Sequence, residues 1–174
     1  MRARQTEPWG PSPESPSPGS VEGLGSQLQT ILNRATREMG ARYAFLLRCE
    51  GESGEWSPVA GCGPRPAPAQ WMGLARRVLT GSEPVVLGAE VLAREKAGWG
   101  LGREWFPLIC LRVGSTATGQ GILALGLAPS ATDEPRQLSS VHLLGELAGA
   151  LMEQASLQVE LFRKEEQVQE LIRN

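Results

Sequence analysis

Histidine is nearly missing from this chain: among 174 residues there is one, His142. Zinc sites of the Cys/His kind need close pairs of ligands, so one His beside three scattered Cys argues against them. The same scarcity removes the usual Ser-His and Cys-His nucleophile pairs unless His142 supplies the base. The cysteines, Cys49, Cys62 and Cys110, are odd in number and widely spaced, which does not suggest a disulfide framework. Long apolar runs are missing too. The best candidates, around Phe106–Leu111 and Gly121–Ala128, fall far below the roughly 20 residues of a membrane helix. Charge of one sign is lacking: the net value is -2, which provides neither a basic field for nucleic acid nor an acidic one for a cationic partner. No apolar segment follows Met1-Arg2-Ala3-Arg4, so no secretory signal is read there, and a cytoplasmic location is expected.

What is present falls into three parts. Residues 1–20 alternate Pro (8, 11, 13, 16, 18) with Ser and Glu, and such a segment buries too little apolar surface to offset its conformational entropy. It is expected to be a disordered tail. Residues 21–154 carry helix and strand patterns and form the expected domain. Residues 155–174 continue its last helix as a coiled coil.

Leu24, Leu28, Ile31, Leu32, Ala35 and Met39 mark one face of a helix, which Gly40 ends. Ser26 and Gln29 have capping-box spacing, so the regular part is expected to start there. Ala41–Arg48 and Trp56–Gly61 read as a hairpin. In Gly73–Leu87, GLARRVLTGSEPVVL, a short helix is stopped at Thr80-Gly81-Ser82, where Gly tolerates a left-handed turn, and a strand follows Pro84. Gly88–Trp99 suggests a short helix. Glu104–Val113 is a strand that Pro107 pushes toward a bulge or a start near Leu108. Gln120–Leu127 is the next strand. Thr132-Asp133-Glu134-Pro135 opens a helix reaching nearly to Asn174. Hairpins mixed with helices mean an α+β fold with a mostly antiparallel sheet.

The last helix has a second pattern. Leu143, Leu147, Ala150, Gln154, Leu157, Leu161, Lys164, Val168 and Leu171 alternate spacings of four and three, a heptad seam of about four repeats. Gln154 and Lys164 would fix register at some cost in stability. Val141, Leu144, Leu151 and Met152 lie off the seam and are expected to pack on the domain.

These segments together resemble a GAF domain, the small-molecule sensory module of phytochromes, cyclic-nucleotide phosphodiesterases and bacterial sensor kinases. GLARRVLTGSEPVVL is similar to the family's helix–strand segment, GARYAFLLRCEGESGEW to its first hairpin and ICLRVGSTATGQGILAL to its paired strands. Cys110 stands where the family usually has Pro. ATDEPRQLSSVHLLGELA is similar to the final helix start, with Ala131 in place of the common Phe. The likeness runs from about Leu24 to Gln154. It implies a central antiparallel sheet with a helical bundle on one face and a pocket-forming layer of short helices and loops on the other.

The resemblance places a ligand pocket beneath Gly88–Arg103, with Tyr43, Phe45, Trp71, Leu92, Trp99, Arg103 and Trp105 as candidate ligand-binding residues. Aromatics with few polar tips suit a small planar or apolar ligand. Simple core filling is the alternative for each. The family's other chemistries are not expected. No Cys precedes a His, so a covalent bilin is not read. The phosphodiesterase-type signature is incomplete, with Pro129 where Phe should stand. Haem lacks an axial ligand, because His142 belongs to the bundle side. The cysteines do not fit the free methionine sulfoxide reductases of this fold; Cys62, between two glycines, is expected to be the most accessible. No metal and no cofactor is expected.

The expected function is that of a regulatory sensor, not an enzyme. It would dimerise through the seam (Leu143, Leu147, Gln154, Leu157, Leu161, Val168, Leu171) and pass a ligand or conformational signal to an output domain or partner, as in a two-component system. The alternative is a homodimeric scaffold with a vestigial pocket. A second copy and a small molecule are the expected partners; nucleic acid and membrane are not.

Overall fold

The structure, a computed structural model, describes residues 20–50, 54–65, 67–81, 83–88, 90, 101–115, 119–128 and 135–174. The described elements are α1 (Ser20–Met39), β1 (Tyr43–Glu50), β2 (Glu55–Cys62), α2 (Pro68–Leu79) and β3 (Val85–Leu87). A 3-10 turn (Arg103–Trp105) follows, then β4 (Leu108–Ser115), β5 (Gly119–Gly126) and α3 (Pro135–Arg173). The strands form one antiparallel sheet in the order β2-β1-β5-β4-β3.

Strand alternation divides the core in two. Ala44, Leu46, Ile109, Leu111, Val113, Leu123 and Leu125 point to the face covered by α1 and α3. Tyr43, Phe45, Leu47, Leu108, Cys110, Ile122 and Ala124 point to the face covered by α2 and the segment Leu101–Phe106. Strands covered on both faces must be apolar on both, which accounts for the near-continuous hydrophobicity of β1, β4 and β5. β4 begins at Leu108, just after Pro107, as the missing proline N–H requires. The edge strand β2 accommodates Pro58 opposite Leu47, where its register to β1 shifts.

Leu28, Ile31, Leu32, Ala35 and Met39 of α1 face the sheet. The helix starts at Ser20, not at Ser26. The capping box is not formed, because Gln29 turns to β2: its Nε2 donates to the carbonyl of Gly61, and the Gly61 N–H donates to its Oε1 at 3.0 Å. Gly40 ends α1 with φ 64°, the left-handed conformation that glycine adopts without steric cost. α2 ends differently from the expectation. Gly81 is not left-handed; Thr80 closes the helix in the right-handed region, and its Oγ1 donates to the carbonyl of Arg77 at 2.7 Å. α2 also begins at Pro68 rather than Gly73, since Pro suits a first helical turn. Residues 89 and 91–99 of the segment read as a short helix, Gly88–Trp99, the tail up to residue 19 and the cap at 132–134 lie outside the described residues.

α3 is one unbroken helix of 39 residues. Its sheet-facing side carries Val141, Leu144, Ala148, Met152 and Ala155, with Leu151 half-buried beside them. At Gly145, α3 lies directly on a sheet side chain: a Cβ there would collide with Leu111. From Leu157 onward every residue is exposed.

Candidate functional site

Four of the sequence candidates converge beneath α2. Tyr43 and Phe45 lie two residues apart on β1, hence on one face of the sheet, and stack with ring centroids 5.8 Å apart and planes at 12°. Gly126 sits opposite Tyr43 on β5, and a Cβ there would strike the tyrosine ring. Trp71 shares the buried face of α2 with Leu74, Ala75 and Val78 at helical spacing. Its indole meets Phe45 edge-to-face at 4.4 Å. Trp105 closes the group from the 3-10 turn, edge-on to Tyr43 at 5.1 Å and to Trp71 at 5.3 Å. Offset and edge contacts of this kind suit the ring quadrupoles, positive edge to negative face.

Polar features here are sparse. The Tyr43 hydroxyl donates to the carbonyl of Trp105. Burial raises its pKa above the ordinary tyrosine value, with Arg42 opposing and Cys110 adding a smaller rise. Burial also pushes the Cys110 thiol up to about 12, against a smaller opposing effect of Arg77. Trp71 is 1% exposed, and its Nε1 is a buried donor without an acceptor among the described residues. No charged side chain is buried among the described residues.

Arg103 is exposed at the rim and does not join the rings. Leu92 and Trp99 lie outside the described residues. Leu101 and Phe106, not among the sequence candidates, are buried with the cluster. The residue that sequence reasoning missed is Arg42. Its Nε donates to the carbonyl of Leu127 at 2.6 Å, Nη1 to that of Glu104 at 3.0 Å, and Nη2 to those of Phe106 at 2.9 Å and Pro107 at 3.4 Å. With Tyr43 taking the carbonyl of Trp105, two adjacent side chains hold four consecutive carbonyls, 104 to 107. Nothing local signals this, because every partner is more than 60 residues away along the chain and presents only backbone.

The three cysteines are free. Cys62 is half-buried, with Sγ 3.0 Å from Thr36 Oγ1, and Cys49 is half-buried as well. Cys49 pairs with Trp56 and Cys62 with Ala44, which places them at opposite ends of the β1–β2 hairpin, roughly 15 Å apart at the rise of a strand. Cys110 is on β4, beyond β5. None of these pairs can bridge without backbone movement. His142 lies on α3, across the sheet from the rings, its Nε2 3.4 Å from Glu146 Oε1. Among the described residues no group of three His, Cys, Asp or Glu is placed to hold a metal. Among the described residues the arrangement therefore offers aromatic surface and one unpaired indole N–H, with the Cys110 thiol, kept protonated by burial, on the same sheet face.

Leu143, Leu147, Gln154, Leu157, Leu161, Val168 and Leu171 are all exposed. They form one stripe along α3 on the side away from the sheet. Lys164, on the same stripe, pairs with Glu160 of its own helix at 3.1 Å.

No protein-family profile and no curated protein matches the chain. Solved structures do. The GAF domain of a phosphoenolpyruvate-protein phosphotransferase from Coxiella burnetii is similar at TM-score 0.62 and 17% identity, covering 83% of this chain and 89% of that one. Free methionine-R-sulfoxide reductase from Neisseria meningitidis, solved with its substrate, is similar at TM-score 0.61 and 14% identity, covering 78% and 81%. The phycocyanobilin-bound GAF domain of a cyanobacterial phytochrome is similar at TM-score 0.58 and 10% identity, covering 78% and 87%. These likenesses agree with the topology built up above: a five-stranded antiparallel sheet, α1 and α3 on one face and the α2 layer on the other, which is the GAF fold.

Proposed function

We propose that this chain is a regulatory sensor module that binds a small, uncharged, largely apolar ligand beside the Tyr43–Phe45–Trp71–Trp105 cluster and passes the event on through α3. The observation that carries this reading is the convergence of four aromatic side chains from three separate segments on the sheet face that α1 and α3 leave free. Similar domains support it, since the cyanobacterial phytochrome domain holds phycocyanobilin and the phosphotransferase domain belongs to a larger protein. We propose non-covalent binding, because the only histidine is across the sheet from the cluster. Catalysis is not part of the proposal, because this chain's three cysteines lie far apart. Thermal-shift screening against uncharged aromatic and apolar metabolites tests it, with charged amino acids and nucleotides as controls expected to have no effect. A ligand at 100 times its Kd stabilises by about 2.7 kcal/mol. Failure of every compound to raise the midpoint or to alter tryptophan emission would overturn the reading.

A second reading is favoured by a specific observation. The rings occupy one another's faces, as in a filled core, while α3 presents an unpartnered apolar stripe. In this reading the domain is a homodimeric, cytoplasmic scaffold whose copies pair in parallel through Leu157, Leu161, Val168 and Leu171. Dimerisation together with a uniformly negative ligand screen selects it.

A further inference from the structure

We propose that Arg42 is a coupling residue, tying the wall that carries Trp105 to Leu127 at the exit of β5. This rests on the sensor reading and adds the route by which the site acts. The guanidinium has donors on two sides, and both are used on backbone oxygen. Nη1 and Nη2 hold the carbonyls of Glu104, Phe106 and Pro107, and Nε holds that of Leu127, one residue beyond β5. No carboxylate lies within ion-pair distance of Arg42 among the described residues, so no acid competes for the fork.

Arg42 and Tyr43 are neighbours at the start of β1, and their roles divide. The Tyr43 hydroxyl binds only the wall, at the carbonyl of Trp105, while its ring lies over Gly126 of β5 without a hydrogen bond to it. Arg42 binds the wall and the exit of β5 at once. A planar fork spans two segments in fixed geometry, whereas a lysine ammonium is a single point of attachment on a flexible stem. The main chain supplies parallel links, the Leu127 N–H to the carbonyl of Pro107 at 2.9 Å and the β4–β5 pairing of Leu108 with Gly126. A displacement of residues 104–107 therefore pulls on Leu127 through the main chain and through Arg42, and the Arg42 route is the one a side-chain substitution removes.

The test needs no ligand. Amide exchange is followed by mass spectrometry on the full chain for the wild type, Tyr43→Phe, Arg42→Lys and the double variant. Tyr43→Phe releases the Trp105 carbonyl, and exchange over residues 101–108 is expected to rise roughly fivefold, the loss of one hydrogen bond. With Arg42 in place, the rise extends to residues 138–145 of α3. With Arg42→Lys, Tyr43→Phe raises exchange over 101–108 alone. Residues 28–35 of α1 report global opening. The proposal fails if α3 does not respond to Tyr43→Phe, if it responds equally in both backgrounds, or if α1 rises in step with it. A ligand found by thermal shift would still stand after such a failure, so the two readings are separable.

Discussion

Gln29 binds both backbone groups of Gly61. Its amide nitrogen donates to the Gly61 carbonyl, and its amide oxygen accepts from the Gly61 N–H, so a side chain on α1 stands where a sixth strand would pair with the free edge of β2. Exposed edges invite pairing with other chains, and covering them is a common defence. Gln29→Leu leaves both Gly61 groups without their partners and is expected to cost about 1–3 kcal/mol. Urea denaturation should show a lower midpoint with an unchanged slope, together with faster aggregation on heating.

The unpaired Nε1 of Trp71 sets two substitutions apart. Trp71→Ala removes the centre of the ring cluster and is expected to cost about 3–5 kcal/mol. Trp71→Phe keeps much of the ring contact and discards a buried donor that has no acceptor, so its cost should be roughly half or less of the alanine variant's. Equal losses in guanidinium denaturation would show that the indole N–H carries a bond in solution.

Alkaline pH should weaken the fold through Cys110. Its thiol titrates near 9.0 when unfolded and at about 12 when folded. Between those values the native state keeps a proton that the unfolded chain has lost, so stability is complete below about pH 9 and falls as pH rises. The slope approaches about 1.4 kcal/mol per pH unit for one such group. Tyr43, shifted the same way by burial, adds to the loss at higher pH. Denaturation midpoints measured from pH 8 to 11 should fall, and Cys110→Ala should flatten the decline.

The stripe on α3 is expected to act only between copies. Leu157 is 54% exposed and Leu161 62% exposed, so neither contributes to the core of one copy. The double variant Leu157→Glu/Leu161→Glu should turn a dimer into a monomer in sedimentation velocity, with the thermal midpoint of the domain itself little changed at low concentration. A chain cut after Gln154 should behave likewise. Persistence of the dimer in both would move the interface to the globular part.

Much of the fold was legible because burial leaves a periodic trace. Leu28, Leu32, Ala35 and Met39 repeat every three to four residues since one face of α1 meets the sheet. Phe45 and Leu47 are apolar, as are Ala44 and Leu46, since β1 is covered on both sides. Ends were less legible. Gly81 has the right residue type for a left-handed stop, yet Thr80 closes the helix with its own hydroxyl, and one competing hydrogen bond decided the matter. Ser26 and Gln29 have the right spacing for a cap, but tertiary contact with Gly61 claimed the glutamine. In the candidate site, Tyr43, Phe45, Trp71 and Trp105 could be named as aromatics. Their mutual edge-to-face packing, and the grip of Arg42 on distant carbonyls, depend on where β5 and the 3-10 turn come to rest, which no local pattern encodes.

Gly145 gives the long helix a mechanical character. It is a point where α3 lies against Leu111 with no side chain between, and from Leu157 onward every residue of the helix is exposed. At about 1.5 Å per residue, the exposed length from Leu157 to Arg173 is roughly 24 Å, so a tilt of about 10° where the helix leaves the sheet carries the far end roughly 4 Å. A shift in the sheet too small to disturb its hydrogen bonds is thereby magnified into a displacement as large as the spacing between neighbouring side chains, and the lever arm is the part of the chain with the least packed against it.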